Sequence, residues 1–271
     1  MLPDMAVAVT VLASGSEGNC TVVSSSTTRL LVDAGLSCRE TFRRMQAAGE
    51  NPCGLSAIII SHEHSDHVAG LQRLARKLGI AVYMTEAAHQ GWAESMGGDD
   101  GQAPELGRLE SFSSGCCFQI GDIAVTPFTV PHDAADPVGF TFRAEGVKIG
   151  LVTDLGYLPA SVRDHLHGCD ALIIESNHDL EMLRGGPYPW AVKQRVMSRV
   201  GHLSNEALAE FFSKDYDGAA AFVVLAHLSA RNNHPELARS AAEQALAPRC
   251  NLIHNRLMLA SQSQALEPIR F

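Results

Sequence analysis

The run His62-Glu63-His64-Ser65-Asp66-His67 restricts this 271-residue chain more than any other feature. It follows the apolar stretch Ile58-Ile59-Ile60-Ser61, which reads as the end of a buried strand at residues 57–61. In an extended segment the side-chain period is two, so His62 and His64 project to the same side. Asp66 and His67 come as the chain turns into the next helix, where they face a neighbouring position. Imidazole and carboxylate at this spacing suit one or two borderline divalent ions such as Zn²⁺ or Mn²⁺. The plain alternative is a solvated histidine-rich loop, which gives no reason for such density directly behind a buried strand.

A centre that does chemistry needs more ligands, and they have to come from other strand ends. Three positions meet that demand: His132 after the strand pattern at 123–130, Asp154 after 148–153, and His227 after 220–226. Each closes an apolar strand at its C-terminal edge, where sites in sheet proteins concentrate. Any one of them alone would read as a capping or surface residue; the shared context makes them ligand candidates.

The remaining pattern alternates strands with helices. Strands are expected at 7–13, 22–24, 30–33 and 80–84, and helices at 38–48 and 68–78, closed by Gly49 and Gly79. The second half repeats the style, with strands at 140–143 and 171–175 and helices at 190–200, 205–212 and 235–247. Two mixed batches of strands with helices outside predict a layered α/β fold of two sheets face to face. The one loose stretch, residues 97–107, reads as an exposed loop rather than a boundary, so a single domain over residues 1–271 is expected.

Composition excludes some classes of function. A net charge of -9 argues against coating nucleic acid by bulk electrostatics, while leaving room for a local basic groove. The 7 cysteines are scattered, with Cys116 and Cys117 adjacent and no C-x-x-C. That is neither a disulfide framework nor a thiolate zinc cage, and it suits a reducing, cytoplasmic compartment. Residues 6–13 are apolar enough to imitate a signal segment, but Asp4 rather than a basic residue precedes them, so they read as a first strand. No stretch approaches the roughly 18 apolar residues of a membrane span.

With His132, Asp154 and His227 following in that order, HEHSDH resembles the metallo-β-lactamase superfamily. Within it the chain is similar to the WalJ/YycJ-like branch along nearly its whole length. The motifs are SGSEGNC at 14–20, LLVDAGLS at 30–37, PHDAADPVGF at 131–140, TDLGY at 153–157, IESNHD at 174–179, GHLSN at 201–205 and HLSARNN at 227–233. The resemblance implies an αββα four-layer sandwich, two mixed sheets with helices outside, holding a two-metal site. It implies that His62, His64 and His132 hold one ion, that Asp66, His67 and His227 hold the other, and that Asp154 bridges them. Zn²⁺, Mn²⁺ and Fe²⁺ all fit such donors. The ions would sit roughly 3.5–4 Å apart and share a hydroxide. Members of this branch are viewed as nucleases, with 5′-to-3′ exonuclease action on DNA the leading activity. Class B β-lactamases lack a bridging carboxylate, so lactam hydrolysis is not expected.

The resemblance also reaches the proton-transfer groups. The order Glu175, His202, His227 is similar to the last third of ribonuclease Z-type phosphodiesterases. This implies that His202 is a general acid held by Glu175, with Asp66 beside them among the catalytic groups. The other reading makes His202 an exposed residue before a helix capped by Ser204. Substrate contacts are expected from Ser16 and Asn19 in the glycine-rich loop, from Asn177, His178 and Ser204, and from Ser229, Arg231 and Asn232. Each of these equally fits a turn or a helix cap. Arg231 is either a clamp for a 5′-terminal phosphate or a solvated side chain. Lys193, Arg195 and Arg199 on one helix, and Arg39, Arg43 and Arg44 on another, either track a phosphate backbone or form solvated faces. Tyr188 and Trp190 are expected to anchor a loop near the cleft, with base stacking left open.

The resulting expectation is a di-metal phosphodiesterase acting on nucleic acid, DNA first, as a 5′-to-3′ exonuclease. A small-molecule or cyclic-nucleotide phosphodiesterase and a ribonuclease remain alternatives. A non-catalytic scaffold would predict lost ligands, and all seven candidates are present.

Overall fold

The structure is a computed structural model describing residues 7–97, 105–247 and 256–271. The first sheet is built from β1 (Ala8–Ala13), β2 (Cys20–Ser24), β3 (Arg29–Val32), β4 (Ala57–Ile59), β5 (Ala81–Met84) and β6 (Leu109–Ser111) in that spatial order. The second runs β7 (Phe118–Ile120), β8 (Ile123–Thr129), β9 (Val138–Ala144), β10 (Val147–Val152), β11 (Ala171–Glu175), β12 (Phe222–Ala226) and β13 (Arg256–Leu259). A terminal strand β14 (Ile269–Arg270) returns to the first sheet and pairs antiparallel with β1. In both sheets an antiparallel part gives way to parallel strands, from β3 to β6 in the first and from β10 to β13 in the second. Parallel neighbours need crossovers, and these carry the helices.

The helices are α1 (Cys38–Ala47), α2 (Ser65–Val68), α3 (Leu71–Leu78), α4 (Glu86–Met96), α5 (Ala160–Leu166), α6 (Leu180–Gly185), α7 (Trp190–Val196), α8 (Asn205–Lys214) and α9 (Pro235–Leu246). Strand alternation sorts the apolar residues into three layers of core. Ala57 and Ile59 of β4 meet Phe140, Phe142, Ile173 and Val224 between the sheets. Ile58 and Ile60 point the other way, onto Met45, Leu71, Leu74 and Trp92 of α1, α3 and α4. On the far side, Leu172, Ile174, Val223 and Leu225 pack against Leu166, Leu208, Phe212 and Ala242 of α5, α8 and α9. The result is the expected αββα sandwich, and strands buried on both faces explain the continuous apolar runs in the sequence. Among the described residues no helix is long and apolar enough to cross a membrane.

Two expected helices are shorter than the periodicity suggested. The pattern at 68–78 is divided into α2 and α3 at Gly70. The Gly70 N–H donates to Ala34 O at 2.8 Å, and a β-carbon there would overlap Leu36 O. The pattern at 190–200 stops at Val196, because the chain folds back over the helix end so that His202 N–H reaches Val196 O at 2.9 Å. Gly201 permits that turn, since any β-carbon would overlap Arg195 O. Residues 98–104 of the loop expected at 97–107 lie outside the described residues.

Candidate metal centre

All the candidate donors gather at one edge of the sandwich, where β3, β4, β8, β10, β11 and β12 end. His62 and His64 leave β4 with ring centroids 4.7 Å apart, and His132, after β8, lies 5.1 Å from His62 and 5.0 Å from His64. Asp66 and His67, in the first turn of α2, join Asp154 and His227 in a second group. In each group the donor atoms lie within 4.8 Å of one another. The Asp154 carboxylate stands between the groups. Its Oδ2 is 3.3 Å from His67 Nε2, and its Oδ1 is 3.5 Å from His227 Nε2 and 3.9 Å from His132 Nε2. Asp154 and His227 hold left-handed backbone, at φ 60° and 55°, a sparsely populated conformation for residues with a β-carbon.

The donors also fit a cation by what they lack. His62 Nε2 and Asp154 Oδ2 are buried with no hydrogen-bond partner among the described residues. Buried polar atoms are normally satisfied, and an orphan imidazole nitrogen facing other lone pairs is how a ligand presents itself. His64 Nδ1 and His132 Nε2 face each other at 3.2 Å, the distance of two donors around one centre.

The other ring nitrogens are tied down, which fixes each imidazole's tautomer and aim. His67 Nδ1 bonds Asp33 Oδ2 at 2.9 Å, His132 Nδ1 donates to Gly201 O at 3.1 Å, and His62 Nδ1 lies 3.0 Å from Ser61 Oγ. Ser61 Oγ is itself 3.0 Å from both Asp33 oxygens. Burial alone would lower the pKa of His67, but Asp33, Asp154 and Asp66 outweigh it and hold it well above the usual imidazole range. His227 follows the same rule, with Asp154 the main opposing charge. Burial, then the adjacent His67, keep His62 well below that range. Against its own burial, the Asp66 carboxyl is held far down by His67 and His227. The carboxylates therefore make this edge attractive to positive charge, and the donor set fits a divalent cation.

Glu175 and His202 adjoin these donors and, with Asp154 and His227, make a third group whose donor atoms lie within 4.8 Å of one another. Glu175 is fully buried, and its Oε2 accepts from Leu155 N–H at 2.9 Å and Leu203 N–H at 3.2 Å. Its Oε1 takes His202 Nδ1 at 2.7 Å. With both oxygens engaged, Glu175 is an orienting group for His202. Burial would raise its pKa, but the His202 charge and their hydrogen bond bring it to about 2. In return His202 is raised, since Glu175 outweighs burial.

A cleft of about 310 Å³ opens over the donors, lined by Ser16, His64, Asp66, His132, Asp154, Arg195, His202 and His227. Of the expected substrate contacts, Ser16 lies in this lining. Asn19 is instead buried in the protein's own bonds, with Nδ2 donating to Asp66 Oδ2 at 3.1 Å and lying 3.0 Å from His67 Nε2. Asn177 Nδ2 donates to His227 O at 2.8 Å. Ser204 caps α8 through Ala207 N–H, and Ser229 Oγ accepts from Asn232 N–H at 3.2 Å. His178 is buried and neutral, burial bringing it to about 4. Asn232 is buried too, while Arg231 is exposed and outside the cleft lining. Asn19 and Asn177 support the ligands rather than face the cleft, Ser204 and Ser229 hold a helix cap and a local turn, and Arg231 points to solvent outside the cleft lining. Arg43 and Arg44 do not form a free basic face either. Both bind Glu40, and Arg44 Nη1 donates to Leu12 O at 3.0 Å and Gln262 O at 2.7 Å.

Three orienting residues escaped the reading of the sequence, Asp33, Ser61 and Gln262. Asp33 directly follows β3, the same position after an apolar strand that marked Asp154 and His227, and like them it holds left-handed backbone, at φ 59°. Gln262 carried no signal: it reaches the Ser14–Asn19 loop from the far end of the chain, accepting from Glu17 N–H at 2.9 Å and donating to Gly18 O at 3.0 Å.

The sequence profile of the β-lactamase superfamily domain matches residues 28–228. The chain belongs to the metallo-β-lactamase superfamily. The exodeoxyribonuclease YycJ of Bacillus anthracis is 40% identical over 242 residues, covering 89% of this chain and 90% of that protein. The exodeoxyribonuclease WalJ of Streptococcus pneumoniae is 38% identical over 242 residues, covering 88% and 87%. The solved metallo-β-lactamase-fold protein YhfI from Bacillus subtilis superimposes with a TM-score of 0.70 over 96% of this chain and 99% of its own, at 17% identity, a likeness of fold. The superfamily fold puts the strand ends of both sheets at one edge, and that is where this member carries its histidines and aspartates.

Proposed function

We propose that this protein is a two-metal nuclease that removes nucleotides from the 5′ end of DNA. The observation carrying this reading is the pair of donor groups sharing Asp154, with the Glu175–His202 unit at the rim of the same cleft. His62, His64 and His132 would hold one ion, Asp66, His67 and His227 the other, and Zn²⁺ or Mn²⁺ suits these donors, with Fe²⁺ also admissible. Bound there, such ions supply Lewis acidity, which lowers the pKa of water and offsets the negative charge of a phosphodiester in its transition state. The chain's own residues do the rest. Glu175 fixes His202 through Nδ1 and raises its pKa, so its remaining ring nitrogen carries a proton for the leaving oxygen. Arg195 offers guanidinium donors to the phosphate from the cleft wall, and Asp33, Ser61 and Asn19 keep the donor side chains aimed. The relatives' names supply the substrate class, and the whole chain is taken to work as one domain in the cytoplasm.

Digestion of end-labelled and internally labelled DNA, bearing 5′-phosphate or 5′-hydroxyl, tests the reading. The metal-loaded protein should release label from the 5′ end, and His64→Ala should not. Intact DNA in the presence of protein shown to carry two metals per chain would overturn it. Parallel arms with RNA and a cyclic phosphodiester would then identify the substrate.

A further inference from the structure

Beside the cleft, one short segment exposes three large apolar side chains. Trp190 is 63% exposed, Val192 40% and Val200 44%. Trp190 is the largest and the most exposed of the three. The same segment carries two arginines tied to the site. Arg195 lines the cleft, and its Nε is engaged by Asp133 Oδ2, which steadies the side chain and leaves its two terminal nitrogens for a ligand. The Arg199 guanidinium lies over the Tyr157 ring, 4.3 Å from its centroid, and Tyr157 is three residues beyond Asp154. The segment is held as a firm rim: Lys193 is buried with Nζ donating to Arg184 O at 2.6 Å, and His202 N–H closes its far end on Val196 O.

An exposed aromatic side chain on the same short segment as two arginines matches what a nucleic-acid strand offers, bases that stack and phosphates that bind cations. The net charge of -9 would repel a polyanion from the molecule at large, so the arginines act as a local attractor next to the cleft. We propose that residues 190–200 are a strand-binding rim on which an unpaired base stacks against Trp190 while Arg195 and Arg199 take the phosphates leading into the cleft. This deepens the nuclease reading above and rests on it. It assigns the favoured substrate to single-stranded or frayed ends, because a base inside a duplex has no free face for the indole.

The protein contains its own probe. It has 2 tryptophans, and Trp92 is fully buried, so solvent-sensitive fluorescence reports on Trp190. Metal-loaded protein is titrated with a short phosphorothioate oligothymidylate, which resists hydrolysis. The expected result is saturable quenching with a log–log salt slope of about −1.4, the value for two phosphate contacts on a single strand. Trp190→Ala should weaken binding of a labelled oligonucleotide about tenfold, with Trp190→Phe restoring most of it. Arg199→Gln should flatten the salt slope by about 0.7. Absent quenching, unchanged binding in Trp190→Ala, or quenching by anionic vesicles but not by the oligonucleotide would each overturn the rim. None of these touches the nuclease reading, which the digestion judges. Quenching by the oligonucleotide without any cleavage of DNA would keep the rim as a strand-binding surface and remove the nuclease.

Discussion

Asp33 shows how a residue that faces no substrate can govern the centre. It accepts from His67 Nδ1, and from Ser61 through N–H at 2.8 Å and Oγ, so one carboxylate sets the aim of two neighbouring histidines. Asp33→Ala should lower metal affinity about 10- to 100-fold, the usual effect of losing such a partner, measured by competition with a chromogenic chelator. A variant binding metal as tightly as the parent would refute that role. The Glu175–His202 pair gives a pH prediction. Glu175 raises the His202 pKa, and an acid catalyst is active only while protonated, so activity falls as pH rises through that pKa. Glu175→Gln removes the raising charge, and the alkaline limb of kcat/KM should move to lower pH. An unmoved limb would mean that His202 is not the acid.

At the scale of elements, the loop between β1 and β2 is held by residues more than 200 positions away in sequence. Ser14 Oγ accepts His227 N–H at 2.8 Å, Ser14 N–H donates to Ser261 O at 3.2 Å, and Gln262 clamps Glu17 and Gly18. Gln262→Ala should therefore loosen Ser16 and Asn19 and raise KM more than it lowers metal content, seen by comparing steady-state kinetics with metal analysis. Gly35 marks a second close approach, where a β-carbon would overlap Asp66 O. Gly35→Ala should push α2 away from β3 and reduce both stability and bound metal, read from thermal unfolding and metal per chain. The central strands of both sheets and the helices α1, α3, α7, α8 and α9 were legible because hydrophobic periodicity is local. The outer strands β6, β7 and β13 and the helices α4, α5 and α6 were not read from the sequence. The breaks at Gly70 and Gly201, and the two-residue strand β14, were not, because each depends on carbonyls or strand edges far away in sequence.

For the whole molecule, ligands from both sheets mean that a bound cation stitches the halves together across one edge. Removing it should lower the thermal midpoint, by the equivalent of about 4 kcal/mol when the ion was present at a thousand times its Kd. Scanning calorimetry before and after chelation measures this, and identical midpoints would place the ligands on a frame that needs no ion. Phe140, fully buried between the sheets, makes a contrasting case. Phe140→Ala should cost about 3–5 kcal/mol in denaturant unfolding through the cavity it leaves.

What the sequence determined by itself was the chemistry on offer and the class of frame. Apolar strands followed by His62, His64, Asp66, His67, His132, Asp154 and His227 announced a cation-binding edge on a layered α/β sandwich. These signals survive in one dimension because strand period and strand-end position are local properties. The tertiary structure decided which polar side chains face the cleft and which stand behind it. Asn19, Asn177, Ser204 and Ser229 read as substrate contacts, yet they spend their hydrogen bonds inside the protein, whereas Arg195, read as either a phosphate-tracking or a solvated helix residue, lines the opening. A polar residue's partner is whichever group the packed chain brings within about 3 Å, and that is settled by long-range approach.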